Sequence, residues 1–229
     1  MLLEEAKALA AELKRRLKFS ALAKKPRIIL AGSARREEPR NRDLDLLVIV
    51  PKLSRKVMAS VLASASLKDS KNKNAEFISD KVSGPRRRSM IIEHQGANSY
   101  TNLPNTNFYT NLHNTNLHNT NLHKLHNTKL PNTNLPKSPN LPLPIRTQVD
   151  LFLVEVKDLP YALFHYTGSS TYNIRTRAHA KAHGMLLNQY GVFDVNTKRR
   201  ARGSSSIKSE KDLADFLGVS YRSPNDRKK

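Results

Sequence analysis

The chain has 229 residues, 40 of them Lys or Arg against 19 Asp or Glu, a formal net charge of +21. So basic a chain points to a polyanionic partner, because neutralising phosphates releases condensed counterions; an anionic membrane surface is the rival partner. Cysteine is absent, which excludes disulfides, thiolate metal sites and a cysteine nucleophile, and no run approaches the ~20 apolar residues of a spanning helix or has signal-peptide organisation.

Residues 2–18 place Leu2, Ala6, Leu9, Leu13 and Leu17 at helical spacing with charge opposite, which predicts an amphipathic helix packed on a core. Glu4, Glu5 and Glu12 would oppose anionic lipid on the membrane-surface alternative. A short apolar strand, Ile28 to Ala31, leads into the loop GSARREEPRNR and a second strand, Leu44 to Val50, that stops at Pro51. Residues 54–66 suit a helix, and 76–82 and 89–94 read as weaker strands. Val149 to Val156 is β-branched and apolar around Asp150. This alternation predicts an α+β fold.

Residues 98–144 repeat Asn-Thr-Asn-Leu-His with drift and finish in NLPKSPNLPLP. A period of five matches neither 2.0 nor 3.6, so no continuous apolar face forms and the segment cannot offset its ordering entropy. The expectation is a low-complexity disordered insertion within a surface hairpin. His113, His118, His123 and His126 read either as a metal-binding tract or as repeat expansion of an unselected loop.

Beyond residue 156, PYALFHYTGSSTYNIRTRAHAKAHG reads as a Thr-Gly-Ser turn and a helix from about Ser170 to His183, and MLLNQYGVF as two short strands. SEKDLADFLG has Ser209 as N-cap, Asp212 three residues on and Gly218 as the stop.

Asp43 and Asp45 project from one side of a strand. Two carboxylates there repel and are costly to bury unpaired, and a divalent ion with hard oxygen ligands, water and substrate phosphate resolves the conflict. The alternative is two aspartates at a strand's solvated start. A Gly-Ser turn with Arg35 and Arg36 beside it can cradle a triphosphate, or can be a solvated loop. Asp150 can complete a two-metal site or stand as a structural aspartate at a strand edge.

GSARRE, RDLDLLV, VDLF, ALFHYTGSSTYNIRTRAHAKAHG and the tail SEKDLADFLGVSYRSPNDRKK resemble the family X DNA polymerases, DNA polymerase beta among them. The likeness runs from about residue 26 onward apart from the insertion, and the chain's size is similar to the compact viral members. It implies a nucleotidyltransferase palm with a mixed β-sheet over residues 1–155 and a small α/β nucleotide- and DNA-gripping domain over 156–229. Asp43 and Asp45 would hold two Mg²⁺ ions, with Mn²⁺ able to substitute. Asp150 would bind the catalytic ion and help deprotonate the primer 3′-hydroxyl. Gly32, Ser33 and Arg36 would contact the β- and γ-phosphates, and His165 and Tyr166 would line the sugar pocket. Thr167, Gly168 and Ser169 would form the tight turn at that pocket, where the family carries a cis peptide. Asn173 would meet the minor-groove edge of the incoming nucleotide and Arg177 the template strand.

The implied activity is template-directed, gap-filling DNA repair synthesis by a monomer acting on gapped or nicked duplex and dNTP, with no membrane partner. The implied setting is intracellular, with nucleus, viral factory and virion not distinguished. Only one helix fits before residue 26, so no lyase activity is expected. His165 stands where the family usually has Tyr, and Gln148 replaces an arginine two residues before the third aspartate, leaving Asp150 less supported. A template-independent nucleotidyltransferase acting on RNA or on a small molecule and a catalytically inactive basic DNA-binding protein are the competing readings.

Overall fold

A computed structural model describes residues 1–67, 75–94 and 144–228. In chain order the elements are α1 (Leu3–Arg16), β1 (Leu17–Phe19), β2 (Arg27–Leu30), α2 (Gly32–Arg35), β3 (Asp43–Val50), α3 (Arg55–Ala63) and β4 (Ala65–Leu67). Then follow β5 (Ala75–Ser83), β6 (Arg87–His94), β7 (Ile145–Glu155), α4 (Leu159–Thr167), α5 (Ser170–Ala182), β8 (Met185–Asn188), β9 (Gly191–Asp194) and α6 (Glu210–Leu217). The chain is α+β, as its pattern predicts.

Helix α1 opens with the Leu2 N–H donating to Glu5 Oε2 at 2.7 Å. Its charges follow the helix dipole, Glu4 and Glu5 in the first turn and Lys14, Arg15 and Arg16 in the last. Ala6, Leu9, Ala10 and Leu13 are buried, whereas Leu2 lies outside the helix and is 55% exposed. Leu17 keeps the apolar spacing but leaves the helix: it opens β1, which pairs antiparallel with β4, and is buried there.

The central sheet has the order β2-β3-β7-β6-β5, with β3 and β7 parallel and the other pairs antiparallel. Successive side chains alternate faces. On one face Leu44, Leu46, Val48 and Val50 join Val149, Leu151, Leu153, Met90 and Ile92 in a core with α1 and α3. On the other, Leu47, Ile49, Phe152 and Val154 pack with Ala162, Leu159, Leu163 and Tyr166 of α4. Coverage on both faces is why β3 and β7 read as continuous apolar runs. It also leaves Asp43, Asp45 and Asp150 on the face that α4 covers over its apolar half.

Sequence periodicity does not reveal helix α4, which begins with Pro160 in its first turn, nor β1, α2 and β4; the helix expected over 54–66 ends at Ala63, and residues 65–67 form β4. Tyr161 and Phe164 of α4 belong to a second core with Ala180, Leu187, Val192, Ile207, Leu213 and Leu217. At α6, Ser209 Oγ accepts from the Asp212 N–H at 3.1 Å while Asp212 Oδ2 accepts from the Ser209 N–H at 3.0 Å, the reciprocal cap the sequence predicts.

The Asn-Thr-Leu-His repeat and all of the expected insertion before Pro144 lie outside the described residues. Its flanks do not: His94 of β6 stands opposite Ile145 of β7 in antiparallel register. Among the described residues no helix is long and apolar enough to cross a membrane.

Candidate active site

Strand register builds the centre. The parallel β3–β7 pairing sets Asp45 opposite Asp150 and Asp43 opposite Gln148. The antiparallel β7–β6 pairing sets Asp150 opposite Ser89 and Phe152 opposite Arg87. Residues in register share a face, so three rows lie side by side there: Asp43 with Gln148, Asp45 with Asp150 and Ser89, and Leu47 with Phe152 and Arg87. The two aspartates of the D-x-D and the distant third one are thereby brought together.

The electrostatic conflict foreseen from Asp43 and Asp45 is present. The Asp45 carboxyl is pushed from its ordinary 3.8 up to about 7, first by burial and then by the charges of Asp43 and Asp150, against the pull of Arg87 and Arg36. Gly32 makes room for it. Its φ is +64°, and a Cβ there would stand 2.1 Å from Asp45 Oδ2, so no other residue allows this carboxylate its position. Asp150 is buried, with Arg87 Nη2 donating to Oδ2 at 3.0 Å and Gln148 Nε2 lying 3.2 and 3.3 Å from its oxygens. The expectation that Gln148 leaves Asp150 short of support is therefore corrected: a neutral amide replaces the charge at position 148, and the charge comes from the neighbouring strand.

Among the described residues no three carboxylate or imidazole groups converge tightly enough to hold an ion unaided. The hard oxygen donors and the excess negative charge at Asp45 nevertheless fit a divalent cation whose shell is completed by water and substrate oxygens.

The Gly-Ser loop folds as α2, anchored by the Ala31 N–H donating to the Asp45 carbonyl at 2.9 Å. Ser33 Oγ donates to Asn41 Oδ1 at 2.6 Å, and Asn41 Nδ2 donates to the Glu38 carbonyl at 3.2 Å. Arg36 donates to the Thr167 carbonyl and, more weakly, to Glu38 Oε1 at 3.4 Å. Arg35 does a different job. It donates to Thr167 Oγ1 and to Glu210 Oε2, the latter at 2.5 Å, while Glu210 Oε1 accepts from the buried Arg227 at 2.8 Å. Arg35 thus ties the loop to α4 and α6 rather than lying free beside a phosphate.

On the other side, the Gly168–Ser169 peptide is cis, as the resemblance implies, and the Ser169 hydroxyl caps α5. Arg177 donates to His165 Nδ1. Burial first, and Arg177 second, lower the His165 pKa to about 4, so the ring is neutral at neutral pH with its proton on Nε2. Tyr166 stacks on Phe152 with ring centroids 4.1 Å apart, and burial raises its hydroxyl pKa. Asn173 Nδ2 donates to the His165 carbonyl at 2.7 Å, leaving its buried Oδ1 without a partner. Arg177 and Asn173, assigned above to the template strand and the incoming nucleotide, are thus both engaged with His165.

Sequence reasoning passes over Asn41, Arg87, Glu210 and Arg227. The Ser209–Asp212 cap places Glu210 at a helix start and Asn41 meets Ser33 and Glu38 within its own loop, whereas Arg87 and Arg227 depend on partners 63 and 17 residues away.

A mixed sheet with adjacent strands presenting aspartates beside a Gly-Ser loop, followed by a second core of helices and the β8–β9 hairpin, is a nucleotidyltransferase-like fold. A family model described as DNA polymerase beta thumb matches residues 162–228. The "Repair DNA polymerase X" of an African swine fever virus isolate from Pretoriuskop is 31% identical over 200 residues, covering 87% of this chain and 80% of that protein. Human "DNA-directed DNA/RNA polymerase mu" is 33% identical over 81 residues, 35% of this chain and 16% of that one. Among solved structures, a Leishmania infantum polymerase beta in a ternary P/T complex superposes with a TM-score of 0.61 at 21% identity, covering 100% of this chain and 77% of that one. The chain belongs to the family X DNA polymerases.

Proposed function

We propose that this chain is a template-directed DNA polymerase that fills short gaps during repair, joining a dNTP to a primer 3′-hydroxyl as a monomer on gapped or nicked duplex. The observation that carries the reading is the carboxylate row, Asp45 against Asp150 with Asp43 beside them and Gly32 holding the space open. A chain of net charge +21 otherwise has no reason to concentrate negative charge at one point. The work divides between a palm, residues 1–155, and a nucleotide- and DNA-gripping part, residues 156–229.

When bound, two Mg²⁺ ions, or Mn²⁺ in their place, would supply the positive charge that offsets the carboxylates and the transferring phosphate, with Asp43 and Asp45 as ligands of both and Asp150 of the catalytic one. Asp150 holds Oδ2 against Arg87, and Oδ1, which accepts from Gln148 Nε2 at 3.2 Å, keeps a second lone pair for the proton of the primer 3′-hydroxyl. Gly32 and Ser33 offer backbone N–H groups to the β- and γ-phosphates, and the Ser33 hydroxyl must release Asn41 Oδ1 to donate there as well. Arg36 exchanges the neutral Thr167 carbonyl for phosphate oxygen, a stronger, charge-assisted partner. His165, Tyr166 and Gly168 border the sugar. Minor-groove base edges present mainly acceptors, so Asn173 must release the His165 carbonyl to donate to the nucleotide. Arg177 must likewise release His165 to reach the template strand.

Primer extension across a one-nucleotide gap, with and without the template strand, tests the reading. Addition that needs the template is expected. Equal addition to a lone single strand would place the chain among template-independent nucleotidyltransferases. DNA binding without any addition would make it a binding protein.

A further inference from the structure

Asp150 is a buried carboxylate whose charge needs a partner, and the sheet offers it three neighbours. Ser89 stands directly across the strand pair, but its hydroxyl is buried and makes no hydrogen bond. Gln148, two residues back on the same strand, contributes a neutral amide. Arg87, one row further along the face, contributes the charged donor shown on Asp150 among the described residues, Nη2 to Oδ2 at 3.0 Å. Diagonal neighbours of this kind are within reach of long side chains. The guanidinium has a second anchor in the ring of Phe152, its register partner, at 5.5 Å from the centroid. Phe152 is itself stacked on Tyr166.

We propose that Arg87 is a positioning residue for the nucleotidyl-transfer step, fixing the Asp150 carboxylate through Oδ2 so that its other oxygen faces the reacting groups. The inference rests on the polymerase reading above. A rival role exists. The Arg87 side chain is 48% exposed, on the rim of a cavity of about 720 Å³ bordered also by Arg55, Arg86, His165 and Tyr190, where it could simply hold a DNA phosphate. The two roles predict different kinetics. Removing a phosphate contact weakens DNA binding and lowers the salt dependence of log K by about 0.9. Removing a group that orients Asp150 lowers turnover once every substrate is bound.

The test compares wild type, Arg87→Ala, Arg87→Lys and the double variant Arg87→Ala/Gln148→Arg. Each is assayed for kcat and KM on saturating one-nucleotide-gap DNA, and for metal-free binding to the same duplex by fluorescence anisotropy across a salt series. For Arg87→Ala the expected result is a kcat about 10–100-fold lower, from a loss made only in the transition state. KM for dNTP stays within about twofold and the salt slope of binding does not change. Arg87→Lys keeps part of the rate. Gln148→Arg, which returns a guanidinium to Asp150 from its other side, regains about tenfold in the alanine background. An unchanged kcat, or a slow double variant no faster than Arg87→Ala, overturns the proposal, and a loss confined to DNA affinity and salt slope assigns Arg87 to phosphate binding instead. If wild type itself extends no primer, the polymerase reading falls and this inference falls with it.

Discussion

Replacing Asp45 by Asn should abolish nucleotidyl transfer while making the metal-free protein more stable at alkaline pH. In the unfolded chain this carboxyl loses its proton near 3.8, but in the folded chain it holds it to about 7 because of burial, Asp43 and Asp150. Between those values the unfolded state binds fewer protons, so stability falls as pH rises and is fully reduced above about 7. At 1.36 kcal/mol per pH unit the gap corresponds to about 4 kcal/mol, and screening at the open side of the site brings the expectation to about 2–4 kcal/mol. For a chain of this size that is a melting temperature higher by about 5–10 °C. Thermal melts of wild type and Asp45→Asn in EDTA at pH 5 and pH 8.5 measure it. The variant should gain on wild type as pH rises, the difference being larger by about 2 kcal/mol at pH 8.5. An equal difference at both pH values, or a variant less stable at pH 8.5, would refute the argument that like charge is concentrated at this carboxylate.

Gly32→Ala forces a methyl into the space of Asp45 Oδ2, so kcat should fall about 100-fold, as for other ångström-scale misplacements, with the circular dichroism spectrum unchanged. Glu210→Gln removes the shared partner of Arg35 and buried Arg227 and should cost about 3 kcal/mol in urea unfolding; a loss below about 1 kcal/mol would show that the three groups are not a working network. The His165 ring, lowered to about 4, should show no NMR titration between pH 5.5 and 8, and a midpoint near 6.5 would contradict its placement under Arg177. Replacing residues 98–143 by a short turn should leave gap filling intact, because His94 and Ile145 already face each other in register, and should raise the melting temperature by about 3–7 °C, since nearly three halvings of the loop at about 0.6 kcal/mol each lower its closure cost.

What the sequence makes legible here is what is local. Asp43 and Asp45 are two residues apart on one strand, and the Thr-Gly-Ser turn, the α5 start and the Ser209–Asp212 cap are each contained in a few consecutive residues. Helix α4 is hidden for a physical reason: Tyr161 and Phe164 face one core, Ala162, Leu163 and Tyr166 another, so PYALFHYT has no polar face and no amphipathic period. Arg87 is hidden because its meeting with Asp150 depends on the register between two strands 63 residues apart, with the repeat segment between them. Arg35 reads from sequence either as part of a triphosphate cradle or as a solvated loop residue, and its actual partner is out of sight because Glu210 lies 175 residues away. The α1 helix ends early because Leu17 satisfies the same apolar demand from a strand, opposite Leu67. Local chemistry names the aspartates, and only tertiary pairing names what supports them.

The most direct test of the account is Mg²⁺-dependent extension across a one-nucleotide gap by wild type and Asp45→Ala under single-turnover conditions, with binding to the same duplex measured in parallel. The account predicts extension by wild type that stops in EDTA and in the variant, while both proteins bind the gapped duplex. Extension by Asp45→Ala at the wild-type rate would show that the carboxylate row is not the catalytic centre.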